Sequence, residues 1–280
     1  MTKLEGARAL VTGGGTGIGL GCAQALVASG AHVTIAGRRE DVLLEALEAL
    51  GPNAHYVVCD IREEEQVEAA IREARRGGML DILVANAGSG KPAAIKQAVV
   101  ADWDFAYRLN VVGTALCIKH AALAMGERGG SITCISSTSA VKVQPWMAPY
   151  NVSKAGLDML VRCAAIELAQ DGIRVNGVQP GYTLTDKMAG RTPAGLHRKL
   201  IGSTPLGRSG SPHDIGPMVA FLSSADASWI TGQIIGVDGG LNIPSLPSMG
   251  EIAAGFHGAD VVSAYNLREY ASGAPADDEA

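Results

Sequence analysis

The chain has 280 residues, of which 47% are apolar and only 4% aromatic, and its formal net charge is −5. This composition predicts a large aliphatic core, and an acidic chain without a basic block argues against a nucleic-acid partner. The longest apolar runs fall short of a membrane span and the start of the chain lacks a signal-peptide layout. We therefore expect a cytoplasmic protein without a membrane partner. The five cysteines are scattered, which predicts buried free thiols.

Strands and helices alternate along the chain. The pattern predicts seven strands, at residues 7–13, 31–37, 54–60, 81–88, 130–137, 172–180 and 232–240. Helical spacing fills the intervals, at residues 17–30, 40–50, 63–78, 102–125, 150–170 and 213–224. Strands that alternate with helices of this length predict an α/β fold with a parallel sheet. No linker interrupts the pattern, so residues 1–243 are predicted to form a single domain.

The composition changes after residue 243, and we expect residues 244–280 to be a C-terminal extension. Its first part carries two prolines and its last ten residues are small and acidic, which predicts partial disorder. Two segments within it, residues 252–256 and 261–267, are apolar enough to pack against a surface.

A glycine-rich segment, VTGGGTGIG at residues 11–19, connects the first strand to the first helix. Its spacing, with Gly13, Gly17 and Gly19, differs from G-x-G-x-x-G. The physical consequence is the same, because glycines let the backbone approach a pyrophosphate and the helix start supplies free N–H groups. A purely structural tight turn is the alternative, and the absence of Gly-Lys-Ser/Thr excludes a P-loop.

Two arginines, Arg38 and Arg39, follow the second strand. NAD-binding sheets commonly place an acid at this position to bind the ribose hydroxyls, whereas guanidinium groups bind a 2′-phosphate. The pair favours NADP over NAD, and the alternative is two solvated arginines at a helix start. We interpret the next residues, Glu40 and Asp41, as first-turn acids of the following helix.

Polar and small residues also end the third and fourth strands. Asp60 follows the third strand, where its carboxylate would accept a hydrogen bond from an adenine amino group. Asn86, Ala87 and Gly88 follow the fourth strand, where glycine leaves room for a cofactor. Because the carboxyl ends of parallel strands meet at one edge, these residues are expected to border the same crevice.

Taken together, the motifs resemble those of the short-chain dehydrogenase/reductase family over about residues 5–242. The resemblance is carried by TGGGTGIG (12–19), NAG (86–88), YNVSK (150–154), VNGVQPG (175–181), PLGRSGSPHDIG (205–216) and ITGQIIGVDGG (230–240). It implies a three-layer, doubly wound Rossmann fold with a seven-stranded parallel sheet. It also implies NAD(P)-linked interconversion of alcohols and carbonyls.

The family's catalytic tetrad of Asn, Ser, Tyr and Lys falls on Asn110, Ser137, Tyr150 and Lys154. Tyr150 and Lys154 are four apart on a predicted helix and so share one face. A cation about 4 Å from a phenol would lower its pKa from about 10 towards neutrality, where general acid/base catalysis works best. We therefore expect Tyr150 to transfer the proton. A solvated helical turn is the alternative for YNVSK, and Ser153 is interpreted as a local hydrogen-bonding residue.

The resemblance assigns roles to the other tetrad members and to the turn after the sixth strand. Ser137 would hydrogen-bond the substrate oxygen, and Asn110 would hold a water that links Lys154 to solvent. Pro180, Gly181 and Thr183 would lie beside the nicotinamide, and Thr185 near the carboxamide or the phosphates. The full expected cofactor set is Gly13, Gly15, Thr16, Gly17, Ile18, Gly19, Arg38, Arg39, Asp60, Ile61, Asn86, Ala87, Gly88, Tyr150, Lys154, Pro180, Gly181, Thr183 and Thr185. One departure is Thr16, where NADP-using relatives often carry a basic residue.

The substrate pocket is expected between the serine and the tyrosine. Gln144 and Trp146 would line it together with Ser137, Tyr150 and Met147, with core packing as the alternative for Trp146. Residues 185–211 would form a substrate lid, or else a simple amphipathic surface helix. Four basic residues of this segment, Lys187, Arg191, Arg198 and Lys199, are weak candidates for binding an acidic carrier protein.

Several functions remain open at this point. The first is an NADP-dependent oxidoreductase acting on an alcohol/carbonyl pair of small molecules. Its rivals are an NAD-dependent dehydrogenase of a sugar, steroid or hydroxy acid, a 3-oxoacyl-carrier reductase, and a non-enzymatic dinucleotide sensor. No His/Asp/Glu cluster has metal-ligand spacing, so no metal is expected. The family's usual interface, helices 102–125 and 150–170, predicts a homotetramer, in which residues 242–280 would cover a neighbouring subunit's site.

Overall fold

A single sheet of seven parallel strands organises the chain in the computed structural model, which describes residues 3–185, 188–190, 192–243 and 249–260. The strands are β1 (Arg8–Thr12), β2 (His32–Gly37), β3 (Ala54–Val58), β4 (Ile82–Ala85), β5 (Gly130–Ile135), β6 (Ile173–Pro180) and β7 (Ile234–Val237). All seven lie within predicted strands, although most are shorter than the predicted segments.

The strand order is β3-β2-β1-β4-β5-β6-β7. Val11 of β1 pairs with Ile35 of β2 on one side and with Val84 of β4 on the other. The chain therefore reverses its direction of progress across the sheet between β1 and β4. In a doubly wound sheet a ligand crevice opens at this point, outside the carboxyl ends of the strands.

Helices connect successive strands and cover both faces of the sheet. They are α1 (Gly17–Ala28), α2 (Glu40–Leu50), α3 (Glu64–Arg75), α4 (Val100–Tyr107), α5 (Gly113–Met125), α6 (Ala148–Glu167), α7 (Ala194–Gly202), α8 (Pro212–Ser223) and α9 (Gly250–His257). Short 3-10 turns lie at Gly126–Arg128, Thr138–Ala140, Ala169–Asp171 and Ala225–Ala227. The charge order predicted for α3 is present, with acids in its first turn and arginines in its last.

Two aliphatic clusters fill the space between the layers. On one face α3, α5 and α6 pack on the sheet, with Ile71, Met125 and Val161 against Leu83. On the other face α1, α2 and α8 pack on it, with Leu26, Leu43 and Val219 among the buried residues. The three-layer, doubly wound architecture predicted from the sequence is thus confirmed.

One predicted helix, residues 102–125, is divided into three parts. A π-helical turn, Arg108–Val112, interrupts the run between α4 and α5 and contains the buried Asn110. The run Val100–Arg128 is apolar and long enough to cross a membrane, but half of its most apolar window is buried. Its helices pack against α3 and α6, as the core helices of a domain do.

The C-terminal extension begins a helix of its own, α9. Ile252 and Phe256, from the segment expected to pack against a surface, are both exposed on it, so that packing does not occur within the described chain. Residues 244–248 and 261–280 lie outside the described residues, as do the expected disorder of the last ten and the second apolar segment. The domain boundary at residue 243 stays a prediction.

Four of the five cysteines are buried, whereas Cys163 on α6 is exposed. Burial raises the pKa of Cys22 to about 12 and, as the larger of two causes, the pKa of Cys59 to about 11. These thiols therefore stay protonated near neutral pH and behave as small apolar core residues.

Helices α1 and α8 touch through glycines, and this contact generates a stability prediction. A Cβ on Gly216 would lie 2.5 Å from the carbonyl oxygen of Gly21, whereas a Cβ on Gly195 in α7 would meet no atom within 4 Å. We expect Gly216→Ala to lower the free energy of unfolding by about 1–3 kcal/mol through overpacking. Gly195→Ala, the control, should leave it unchanged or raise it by up to about 1 kcal/mol. Urea denaturation measures both, and equal midpoints for the two variants would contradict the packing described.

Candidate active site

The glycine loop forms a cradle at the carboxyl end of β1. Gly13 and Gly17 have φ angles of 65° and 55°, a region that side chains with a Cβ seldom adopt. A Cβ on Gly19 would lie 2.2 Å from the carbonyl oxygen of Gly13. Among the described residues, no side chain caps the start of α1 at Thr16, so its first N–H groups lack protein partners. The loop therefore fits an anionic group such as a pyrophosphate.

Asn86 holds this loop in place. Its side-chain Nδ2 donates to the carbonyl oxygens of Thr12 at 2.9 Å and Gly13 at 3.1 Å. The backbone N–H groups of Asn86 and Ala87 donate to Thr12 Oγ1 at 3.0 and 3.1 Å. Asn86 and Ala87 thus lie at the crevice as predicted, where they join the ends of β1 and β4.

Several charged side chains lie beyond the ends of β2 and β3. Arg38 and Arg39 are exposed at the start of α2, where Glu40 and Asp41 are first-turn acids as predicted. The carboxylate of Asp60 accepts from Arg62 Nε at 2.9 Å and from Arg62 Nη2 at 2.5 Å.

The Arg62 hydrogen bonds, opposed by partial burial and helped by Arg38, lower the pKa of Asp60. Arg62 was not among the predicted site residues, although its position two residues after Asp60 was an available signal. The side chain of Ile61 is buried in the core.

The segment after β6 turns its backbone towards the same crevice. Tyr182 and Leu184 pair with Gly210 through their C=O and N–H groups, both at 2.8 Å. In such a parallel bridge the N–H and C=O groups of the middle residue, Thr183, point to the opposite side. Thr185 lies against the glycine loop, since its Cγ2 would be 3.1 Å from a Cβ on Gly17.

Helix α6 carries Tyr150 and Lys154 into the crevice. Lys154 is buried, and its Nζ donates to the carbonyl oxygen of Ile135 at the end of β5, at 2.8 Å. The same Nζ lies 5.8 Å from the centre of the Tyr150 ring. The predicted pairing of the two side chains on one helix face is therefore present.

The pKa of Tyr150 was expected to be lowered. This expectation is wrong when only the groups of the protein itself act on it. Burial raises the pKa of Tyr150, and a hydrogen bond from the Ser137 hydroxyl only partly opposes it. Burial also lowers the pKa of Lys154 to about 8, so about half of the Lys154 side chains carry a neutral amine near that pH. Both shifts follow from placing the pair in a dry site, where the charged form of each group is disfavoured.

Ser137 stands at the carboxyl end of β5, where it begins a 3-10 turn. Its Oγ accepts from the backbone N–H of Ser139 at 3.1 Å, and the side chain is near enough to lower the pKa of Tyr150. An oxygen bound at this point would meet the hydroxyls of Ser137 and Tyr150 together. That is the arrangement required to stabilise charge developing on a carbonyl oxygen.

Asn110 makes long-range contacts instead of a local helical bond. Its Nδ2 donates to the carbonyl oxygen of Ser89 and to Ser153 Oγ, both at 2.9 Å, and its Oδ1 accepts from the N–H of Ser89 at 3.0 Å. A Cβ on Gly88 would lie 2.9 Å from Asn110 Oδ1 and 3.2 Å from Lys154 Nζ. Gly88 therefore leaves room for these two side chains, and the water proposed at Asn110 stays a prediction.

Comparison with known proteins places this geometry in a family. A family model described as enoyl-(acyl carrier protein) reductase matches residues 13–242. The chain is 39% identical to cis-4-hydroxycyclohexanecarboxylate dehydrogenase of Sinomonas cyclohexanicum, over 83% of this chain and 95% of that protein. It is 36% identical to 7alpha-hydroxysteroid dehydrogenase of Escherichia coli K12, over 85% and 95%. The structure of a short-chain type dehydrogenase/reductase from Mycobacterium ulcerans superposes with a TM-score of 0.83 at 37% identity, covering 93% of this chain and 98% of that one.

The chain belongs to the short-chain dehydrogenase/reductase family. It is accordingly an oxidoreductase that acts on CH–OH groups with an NAD(P) cofactor. The cradle, the free helix start and the exposed arginines fit such a dinucleotide. Within the described residues, no group of three His, Cys, Asp or Glu side chains is placed to hold a metal ion.

Two segments of this dehydrogenase/reductase, one at Ala93 and one at residues 144–147, lie side by side. Trp146 is 66% exposed, which excludes the alternative that it packs in the core. Its φ of 67° is an outlier for a bulky residue, and its carbonyl oxygen accepts from the N–H of Ala93 at 2.6 Å. Gln144 is exposed beside it, and its Oε1 accepts from Ser139 Oγ at 3.3 Å.

Helix α7 lies within the segment predicted as a lid. Of its apolar residues Leu196 is exposed, whereas Leu200 and Ile201 are half-buried. The Tyr182 hydroxyl and His197 Nδ1 are hydrogen-bonded at 2.8 Å, which ties α7 to the end of β6. Arg198 and Lys199 are exposed, and Lys187 and Arg191 lie outside the described residues.

The Tyr150 ring packs against a glycine, Gly90, that was not among the predicted site residues. A Cβ on Gly90 would lie 2.6 Å from Tyr150 Cδ2. Its signal was the extension of NAG to NAGSG, which places a second glycine two residues further along the chain.

We expect Gly90→Ala to displace the Tyr150 ring and lower kcat by about a hundredfold, with little change in nucleotide affinity. Gly156→Ala on α6 is the matched control, because its Cβ would make only an ordinary contact, 3.6 Å from Val111. Steady-state kinetics with nucleotide titration measures both effects. An unchanged kcat in the Gly90 variant would contradict the packing.

Proposed function

We propose that the protein is an NADP-dependent oxidoreductase that interconverts an alcohol and a carbonyl compound by hydride transfer. The observation that carries the proposal is the meeting of Tyr150, Ser137 and Lys154 beside a glycine cradle in one crevice. A dinucleotide sensor would have no use for a phenol held against a hydroxyl and a buried amine. The protein is proposed to act in the cytoplasm on a small molecule.

Each member of the tetrad has a separate task in the proposed reaction. When bound, the nicotinamide ring supplies or accepts the hydride. Tyr150 donates the proton to the carbonyl oxygen during reduction and removes it from the hydroxyl during oxidation. Ser137 donates a hydrogen bond to the same oxygen. Lys154 in its ammonium form favours the phenolate and binds the nicotinamide ribose. Asn110 fixes the backbone at Ser89.

The preference for NADP rests on the charges beyond β2. β2 ends in Gly37 without an acid, and Arg38 and Arg39 follow as exposed side chains. Arg38 is close enough to Asp60 to influence its pKa, and Arg62 binds the same carboxylate. Two guanidinium groups therefore stand where an NAD-binding sheet carries an acid, which suits a 2′-phosphate.

The substrate is proposed to be a compact molecule with a substantial apolar surface. Exposed apolar side chains occur in the two segments that the hydrogen bond between Ala93 and Trp146 joins, namely Ile95, Val141, Val143 and Trp146. The dehydrogenases of cis-4-hydroxycyclohexanecarboxylate and of 7alpha-hydroxysteroids among its relatives are named for cyclic alcohols. An NAD-dependent dehydrogenase of a steroid, sugar or hydroxy acid is therefore the second candidate. A 3-oxoacyl-carrier reductase is less favoured, because the described basic residues near α7 are few.

A homotetramer is part of the proposal. Large apolar side chains are exposed on α5 and α6, the helices that form the usual interface in the family, namely Leu123, Val152, Met159 and Ile166. Exposed apolar surface of this kind is typical of subunit contacts.

Fluorescence titration with NADPH and NADH, followed by turnover of a panel of cyclic and linear alcohols and ketones, tests the proposed function. We expect tighter binding of NADPH. Arg38→Asp should weaken NADPH binding by about ten- to a hundredfold, because it replaces a charge-assisted hydrogen bond with repulsion. NADH binding should change little.

Arg72→Asp is the matched control, because Arg72 is exposed on α3 away from the crevice. Tighter NADH binding by the wild type would overturn the NADP assignment. An unchanged ratio of NADPH to NADH affinity in Arg38→Asp would show that Arg38 does not contribute to the preference for NADP.

A further inference from the structure

A buried carboxyl group lies behind the catalytic lysine. Asp158 follows Lys154 by four residues on α6, so the two side chains occupy the same helix face. Both are 4% exposed, as is Ser136, and Gln179 is 5% exposed. A buried charge is strongly unfavourable unless an opposite charge or hydrogen bonds compensate it, so this acid requires an explanation.

Hydrogen bonds fix the carboxyl group of Asp158. Gln179 Nε2 donates to its Oδ2 at 2.6 Å. Asn242 Nδ2 lies 3.4 Å from Gln179 Oε1, and the backbone N–H of Asn242 donates to Asp238 Oδ2 at 2.9 Å. Asp158 Oδ1 and Ser136 Oγ are both buried without a hydrogen-bond partner among the described residues. Gln179 on β6, itself contacted by Asn242 after β7, thus holds one orientation of the acid.

The charges around Lys154 come from few groups. Tyr150 and Asp158 face it from α6, Cys134 faces it from β5, and the π-helical turn contributes the neutral Asn110. Arg162, one turn further along α6, acts on Asp158. Asp158 is thus the described carboxyl group whose charge bears on the buried amine.

The pKa shifts agree with this placement. Burial lowers the pKa of Lys154 to about 8, and Cys134 and Asp158 oppose that shift. Burial is the largest cause and raises the pKa of Asp158, while Ser136, the hydrogen bond from Gln179 and the charges of Arg162 and Lys154 oppose that shift. An anion at this point therefore favours the ammonium form of the lysine.

We propose that Asp158 is a positioning residue for the reaction, whose carboxylate, fixed by Gln179, holds the Lys154 side chain as an ammonium ion. The inference rests on the proposed function, because that ammonium supports proton transfer by Tyr150. Asp158 lies outside the Asn-Ser-Tyr-Lys tetrad, one turn beyond Lys154 on α6.

Asp158→Asn removes the charge and keeps the shape. We expect the pKa of Lys154 to fall by about one unit, so that the ammonium form is lost at lower pH. The alkaline limb of kcat for alcohol oxidation should move with it, while KM for the alcohol at lower pH stays unchanged. 13C NMR of protein labelled at lysine Cε follows the Lys154 titration directly, and the signal is assigned by its loss in Lys154→Arg.

Two further variants separate charge from structure. Gln179→Met removes the donor to Asp158 Oδ2, raises the pKa of that acid, and should move the Lys154 titration in the same direction by a smaller amount. Asp104→Asn on α4 removes an exposed acid and should leave the titration in place. Folding of each variant is checked by its urea midpoint.

An Asp158→Asn protein that folds and keeps the wild-type Lys154 titration overturns the inference, as does an unmoved titration in Gln179→Met if the first variant does not fold. The NMR measurement needs no turnover. A wild type without oxidoreductase activity would therefore refute the proposed function while the NMR result still decides whether Asp158 sets the charge of Lys154.

Discussion

A buried ammonium group constrains the centre of this molecule. Lys154 Nζ donates to the carbonyl oxygen of Ile135, and no space remains for a side chain at Gly88, where a Cβ would lie 3.2 Å from it. Asn110 occupies the other side of that glycine because a π-helical turn interrupts the helix there, and π turns of this kind are frequent at functional sites. The proposed reaction requires the charge at Lys154, and burial opposes that charge, so the surrounding groups must restore what desolvation removes.

The sheet explains why these groups meet. Strand order reverses between β1 and β4, which brings the glycine loop, the Asn86 segment and the end of β5 to one edge. Helix α6 then runs past that edge and carries Tyr150 and Lys154 on the face that points to it. The crevice therefore combines the glycine cradle with the proposed proton donor, Tyr150, although these residues are more than a hundred positions apart in sequence.

Local patterns allowed much of this to be predicted. Alternating apolar segments gave all seven strands, and the spacing of YNVSK placed Tyr150 and Lys154 on one face. The direction of the Tyr150 pKa could not be predicted, because spacing places Lys154 on the same helix face but does not reveal the burial that raises the pKa. Gly90 was missed because its contact with Tyr150 joins positions sixty residues apart, and the π turn was missed because its sequence, RLNVV, continues an apolar helix. The Tyr150 pKa, the Gly90 contact and the π turn all depend on packing between segments that are distant in sequence.

Proton transfer by Tyr150 is the central claim, and single-turnover kinetics of a Tyr150→Phe variant with saturating nucleotide tests it most directly. The phenyl ring keeps the packing against Gly90 and removes only the hydroxyl. The account predicts that the rate of hydride transfer falls by about 10²–10⁴-fold, while the dissociation constant for the nucleotide and the urea midpoint remain close to those of the wild type. Hydride transfer at the wild-type rate in the folded variant would contradict it.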